Sequence, residues 1–205
     1  YKQFPETGQK EIVMVGKSNV GKSSLINALC NRKRLAYVGQ RPGKTRLINF
    51  FHINDDLMLV DVPGYGFANR SKEEQIHYGT LMDSYFELRH PSLMLLLVDI
   101  RRGMNDDDRT MLEFAQHYGI EPMVILSKAD KLSRGAAKSE ALKLERSLGL
   151  PVMVFSHTQH GTANAIVEYI MNKYILLSLR ISHKSLSGFY PVLGKKAKRF
   201  FPSYL

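Results

Sequence analysis

The strongest constraint on this chain is the run Leu93–Val98, six apolar residues without a polar interruption, closed by Asp99. Such a run lacks the alternation of a half-exposed strand. It also falls far short of the roughly 20 residues that a membrane-crossing helix needs. It predicts a strand covered on both faces, the usual situation in a parallel sheet flanked by helices. Met123–Ser127 reads the same way.

The rest of the chain alternates in that sense. Glu11–Val15 reads as a strand, Gly16–Lys22 as a loop, and Ser23–Asn31 as a helix. Arg32–Arg46 is a basic loop with Gly and Pro. Leu47–Ile53 and Leu57–Asp61 flank the turn Asn54-Asp55-Asp56, a hairpin signal. Pro63–Ser71 is a Gly-rich loop and Lys72–Leu88 a helix. Asn105 is an N-cap for a helix running to about Tyr118. Ser133–Leu148, Pro151–Phe155 and Thr162–Tyr174 read as helix, strand and helix. This order predicts an α/β fold, with a mostly parallel sheet, helices on both faces and one antiparallel edge strand from the hairpin. Ligands on such sheets bind beyond the carboxyl ends of the strands.

One motif sits at such an end. Gly16-Lys17-Ser18-Asn19-Val20-Gly21-Lys22-Ser23 matches G-x-x-x-x-G-K-[ST], with Ser24 following. Glycines let backbone N–H groups turn inward around phosphates. Lys22 reaches the β- and γ-phosphates, and the Ser23 hydroxyl suits Mg²⁺. The helix behind presents its positive end to the same anion. A Gly-rich turn before a helix is the bland alternative.

Three weaker signals follow in order. Asp61-Val62-Pro63-Gly64 ends a strand. Asp61 suits Mg²⁺ through water, and Gly64 leaves room for its N–H to approach a γ-phosphate. Between the two motifs lies Arg41-Pro42-Gly43-Lys44-Thr45-Arg46, where Thr45 completes Mg²⁺ coordination when a γ-phosphate is present. Lys22, Thr45 and Gly64 are the candidate catalytic groups. Ser127-Lys128-Ala129-Asp130 follows a buried strand. Asp130 can accept the N1–H and N2–H₂ of guanine, whereas adenine would leave it unpaired. The Lys128 stem covers a face of the base. Phe155-Ser156-His157 ends the last strand and offers a backbone N–H for O6 of guanine. Alone, each short motif reads as a turn or cap.

With these residues in view, the chain resembles the TRAFAC GTPases, and within them the EngB (YihA/YsxC) family. The resemblance spans about Phe4 to Tyr174. It rests on Gly16–Ser24, Pro42–Arg46, Asn49-Phe50, Asp61–Ala68, Asp99-Ile100-Arg101 and Ser127–Asp130. It implies a six-stranded Ras-like P-loop GTPase domain, slow GTP hydrolysis and a role in large ribosomal subunit assembly. The GTP/GDP state would control docking on a subunit precursor or its rRNA. The chain departs from the family at Ser127, where Thr is usual, and at His157, where Ser is frequent. Tyr65 stands where Ras-type enzymes carry the Gln that orients water. A phenol cannot replace an amide that donates and accepts together, so slow turnover is expected. Asn19 resembles the residue that holds K⁺ in potassium-activated relatives. Its alternative role is to stabilise the turn.

The net charge of +10 favours a polyanionic partner. Residues 175–205 hold six basic residues and no acid: Arg180, Lys184, Lys195, Lys196, Lys198 and Arg199. Residues 1–174 thus carry 23 basic and 19 acidic residues, a net +4. The domain division is a GTPase domain over 1–174 and a basic tail over 175–205. With Phe200, Phe201 and Tyr204, the tail reads either as an RNA contact or as a solvated basic tail. Lys33, Arg34, Arg41 and Arg46 form a second candidate RNA-facing group. Asp106-Asp107-Asp108 reads as acids of a helix first turn, not a metal cluster. The single cysteine, Cys30, excludes an internal disulfide and reads as a packing residue. No membrane role is expected, and a monomer in the cytoplasm is. The start at Tyr1 leaves an organelle matrix or stroma open. Two other readings are an RNA-binding module in which nucleotide is structural, and an ATPase or small-molecule kinase, which Asp130 argues against.

Overall fold

A computed structural model of the chain describes residues 4–5, 8–32, 35–36, 47–53, 56–66 and 72–176. In chain order the elements are β1 (Lys10–Gly16), α1 (Lys22–Leu29), β2 (Asn49–His52), β3 (Leu57–Asp61), α2 (Lys72–Arg89), β4 (Leu93–Asp99), α3 (Asp106–His117), β5 (Glu121–Ser127), α4 (Arg134–Leu148), β6 (Val152–Val154) and α5 (His160–Ile170). A short 3₁₀ turn, Ala129–Lys131, follows β5, and a π-helical turn, Met171–Leu176, follows α5.

The strands form one six-stranded sheet ordered β2-β3-β1-β4-β5-β6. β2 runs antiparallel to β3, and every other pair is parallel. The architecture is thus the expected one. All of β3 and all of β4 are buried. Alternate residues of each strand feed two cores, because successive side chains point to opposite faces. Val13, Val60, Leu96 and Val124 face Met82, Tyr85 and Phe86 of α2, Met111 of α3 and Ala137 of α4. Ile12, Leu59, Leu95 and Ile125 face Leu25 and Ile26 of α1 and Ile166 and Ile170 of α5. Each fully buried aliphatic side chain contributes about 1.5–3 kcal/mol relative to exposure.

Helix ends follow local chemistry. The Asn105 side chain accepts from the Asp108 N–H, and Asp108 returns the bond to the Asn105 N–H at 2.9 Å, a capping box. Asp106, Asp107 and Asp108 occupy the first turn of α3, where the helix dipole favours acids. Ser133 caps α4, and Gly149 closes it in the left-handed region. Several boundaries differ from expectation, two of them clearly. α5 gives way to the π turn after Ile170 instead of running on to Tyr174, and β2 has four residues where seven were expected. Cys30 is packed against the second core, where burial pushes its thiol up to about 12, as suits an inert packing residue. Among the described residues no helix is long and apolar enough to cross a membrane.

Candidate functional site

The four parallel strands β1, β3, β4 and β5 end together at Gly16, Asp61, Asp99 and Ser127. This shared end gathers the sequence motifs. Gly16 leads out of β1 at φ +156°, and a Cβ there would lie 2.7 Å from the Leu97 carbonyl oxygen. Only glycine fits that passage. Asn19 sits at φ +61°, a left-handed position that Asn tolerates better than most residues. The turn geometry therefore accounts for Asn19 without a cation. Lys22 is buried, and its Nζ donates to the Gly16 carbonyl at 3.2 Å. Ser23 and Ser24 follow in the first turn of α1, and both are partly buried. The Val20 side chain belongs to the core, and its N–H closes the turn by donating to the Lys17 carbonyl at 3.1 Å.

The Asp61 segment closes on this loop. Lys17 and Tyr65 form a parallel bridge, and the Ser18 N–H donates to the Tyr65 carbonyl at 3.0 Å. Gly64 is pressed so close that a Cβ would lie 2.9 Å from Lys22 Nζ and 2.9 Å from the Ser18 nitrogen. Asp61 is buried, and its Oδ1 has no hydrogen-bond partner among the described residues. Burial raises its carboxyl to about 6, against the pull of Lys22. An orphaned buried carboxylate oxygen beside a phosphate-type loop is the donor a hard cation takes, so the residues fit a Mg²⁺ ion.

The base-reading motif is built around β5. The Ser127 hydroxyl donates to the Val20 carbonyl at 2.7 Å, tying this strand to the phosphate loop. Ser127 therefore performs a hydroxyl's task. Asp130 accepts from the Ser156 hydroxyl at 2.9 Å and lies 3.1 Å from Lys131 Nζ. Burial raises its carboxyl, but the hydrogen bonds from Lys131 and Ser156 outweigh that and hold it below the ordinary value.

The segment after β6 narrows one expectation. The Phe155 N–H donates to the Leu126 carbonyl, and its side chain lies in the core. The Ser156 N–H donates to Thr162 Oγ1 at 3.0 Å, and the Thr158 N–H to Ser156 Oγ at 3.2 Å. Of this run, the His157 N–H is the one not engaged among the described residues. Phe155 and Ser156 hold the turn, which leaves the His157 N–H as the candidate donor.

Sequence reasoning missed the partner of Lys128. Its Nζ lies 3.0 Å from Asp99 Oδ2, while Arg101 grips the same carboxylate through Nε at 3.0 Å and Nη2 at 2.7 Å. Arg101 and Lys128 hold the Asp99 carboxyl well below the usual range despite burial. The signal was an acid closing the apolar run, but the register that sets Asp99 beside Ser127 is not written in it. Gly43, Lys44 and Thr45 lie outside the described residues, as do Lys33, Arg34, Arg41, Arg46 and everything after Leu176.

Comparison with known proteins agrees with this site. The family model described as a 50S ribosome-binding GTPase matches residues 11–128. A "Probable GTP-binding protein EngB" of Clostridium perfringens is 45% identical over 179 residues, covering 84% of this chain and 90% of that protein. A namesake from Geobacillus thermodenitrificans is 47% identical over 169 residues, covering 80% and 87%. Among solved structures, a probable GTP-binding protein engB has the same fold at TM-score 0.59 and 24% identity, over 79% of this chain and 95% of that one. NFeoB of S. thermophilus, bound to GDP·AlF₄⁻ and K⁺, has TM-score 0.58 and 27% identity, over 78% and 60%.

Proposed function

Because the chain belongs to the EngB family of P-loop GTPases, we propose that it hydrolyses GTP slowly and that its nucleotide state gates docking on a precursor of the large ribosomal subunit. The observation that carries this reading is the gathering of Lys22, the orphaned Asp61 Oδ1, Gly64 and Asp130 at one end of the sheet, in a chain matched by a ribosome-binding GTPase family.

In this reading the amides of Gly16 to Ser24 cradle the phosphates, and Lys22 neutralises charge that develops on them. Ser23 and Thr45 would hold Mg²⁺, with Asp61 joining them through water. When bound, the ion offsets the charge on the β- and γ-phosphate oxygens. Asp130 reads the guanine edge, Lys128 covers the base, and the His157 N–H donates to O6. Gly43 and Lys44 bind nucleotide alongside Thr45. Tyr65 supplies no water-orienting amide, and its hydroxyl is already engaged, which supports slow turnover. K⁺ activation through Asn19 is the second reading, on the likeness to NFeoB with its K⁺. Equal turnover in KCl and NaCl would remove it.

Residues 1–174 form the GTPase unit and 175–205 a basic RNA-directed tail, in a monomeric cytoplasmic protein. Lys10 Nζ donates to the Tyr174 carbonyl at 2.7 Å, so the chain leaves near the start of β1, at the opposite end of the sheet from the nucleotide. Co-sedimentation with large ribosomal subunits tests the docking. Association should be tighter with a non-hydrolysable GTP analogue than with GDP. Equal association would reduce the protein to an RNA binder with a structural nucleotide, and none would remove the ribosome.

A further inference from the structure

Tyr65 does not face the phosphate loop with its ring. It is 7% exposed, and its hydroxyl donates to Asp108 Oδ1 at 2.5 Å. Asp108 is itself 4% exposed and fixed in the first turn of α3, where Oδ2 accepts the Asn105 N–H. A buried hydrogen bond to a carboxylate, with its acceptor immobilised by a capping box, is among the stronger contacts available to a side chain. The backbone of Tyr65 is held separately by the Ser18 N–H and the bridge to Lys17. A weaker exposed pair, Lys17 Nζ to Asp107 Oδ2 at 3.9 Å, joins the phosphate loop itself to the start of α3.

These ties fix Gly64, the neighbour of Tyr65, against the loop. The Cβ position of Gly64 is 2.9 Å from Lys22 Nζ and 2.9 Å from the Ser18 nitrogen. Lys22 Nζ is a donor that a phosphate oxygen takes, so Gly64 stands on ground a γ-phosphate would approach, while the Ser18 N–H is already given to the Tyr65 carbonyl. Yet the point lies one covalent bond from the Gly64 Cα. A γ-phosphate oxygen can take it only after Gly64 withdraws, whereas GDP makes no such demand.

We propose that Tyr65 and Asp108 form a positioning latch that sets the discrimination between GTP and GDP, by holding Gly64 in the space a γ-phosphate requires. The inference rests on the guanine-nucleotide reading of the site and adds a specificity-determining pair to it. The latch opposes GTP entry, and α3 is the element displaced when it yields.

Affinities of the full chain for GDP and for a non-hydrolysable GTP analogue test this in the wild type, Tyr65→Phe, Asp108→Asn and the double variant. In Asp108→Asn the side-chain oxygen can still accept the Asn105 N–H, so the helix cap survives. Tyr65→Phe should raise the analogue-to-GDP affinity ratio about tenfold, equivalent to about 1.4 kcal/mol, with GDP affinity little changed. Asp108→Asn should move the ratio the same way, and the double variant should add nothing further, as expected of residues acting as one unit. An unchanged ratio in Tyr65→Phe, additive single effects, or a parallel loss of both affinities would overturn the latch. A wild type that binds neither nucleotide would instead remove the guanine reading, and the latch with it.

Discussion

Lys128 Nζ lies 3.0 Å from Asp99 Oδ2, so the lysine that borders the candidate base site is held by the acid that closes the neighbouring strand. Lys128 itself sits at φ +57°, turned out of β5 by a left-handed step. Asp99 is thus a positioning residue, with Arg101 as its second partner. Asp99→Asn should lower GDP affinity by about tenfold, a step of about 1.4 kcal/mol, and lower the melting temperature as well, because the carboxylate's pairing with Arg101 and Lys128 is lost. A titration with fluorescent GDP checks it.

Gly64 is the position least able to accept a side chain. Alanine there would press on Lys22 Nζ and on the Ser18 backbone, and the backbone contact cannot be relieved by a side-chain rotation. Gly64→Ala should cut single-turnover GTP hydrolysis by roughly 100-fold or more, the scale of losing one backbone donor to the reacting phosphate. GDP binding should persist within a few-fold.

Burial at Asp61 gives a signed pH effect. The folded carboxyl titrates at about 6 against 3.8 for the ordinary side chain. A raised acid destabilises the fold as it ionises, so stability falls as pH rises from about 4 to about 6 and stays lower above that. The difference amounts to about 3 kcal/mol at most. Asp61→Asn should therefore raise the melting temperature at pH 8 without Mg²⁺ or nucleotide, and the gain should vanish near pH 3.5. The same variant should lose Mg²⁺-dependent nucleotide binding.

Glu11 anchors the far side of the sheet. It is buried and accepts from the Tyr85 hydroxyl at 2.9 Å and from Arg89 Nε at 2.8 Å, and the Tyr85 ring packs in turn on Phe4 and Phe50. Glu11→Ala removes the carboxylate that Tyr85 and Arg89 share in a largely buried place and should cost about 3–5 kcal/mol. Thermal unfolding should shift downward by roughly 10 °C.

Sequence patterns carried the layered fold because a two-faced parallel strand has to be apolar throughout, as Leu93–Val98 is. They carried the phosphate loop because its chemistry lies in eight contiguous residues. They did not carry the links between motifs. The Asp99–Lys128 and Tyr65–Asp108 contacts depend on strand register and on where α3 begins relative to β3, neither of which is a local property. The donor at His157 emerged only once Leu126, Thr162 and Ser156 Oγ were seen to occupy its neighbours. The early end of α5 reflects a switch to π-type turns at Met171. There Lys173 and the Tyr174 hydroxyl both bond to Glu121, a long-range tie that helical periodicity does not reveal.

The central claim is that Asp130 reads guanine. The most direct measurement is the affinity of wild type and Asp130→Asn for GDP, ADP and xanthosine diphosphate. The account predicts that wild type prefers GDP over ADP by orders of magnitude, and that the variant loses GDP and gains the xanthine nucleotide, because an amide swaps an acceptor for a donor. GDP affinity unchanged by the substitution, or equal affinity of the wild type for ADP and GDP, would contradict it.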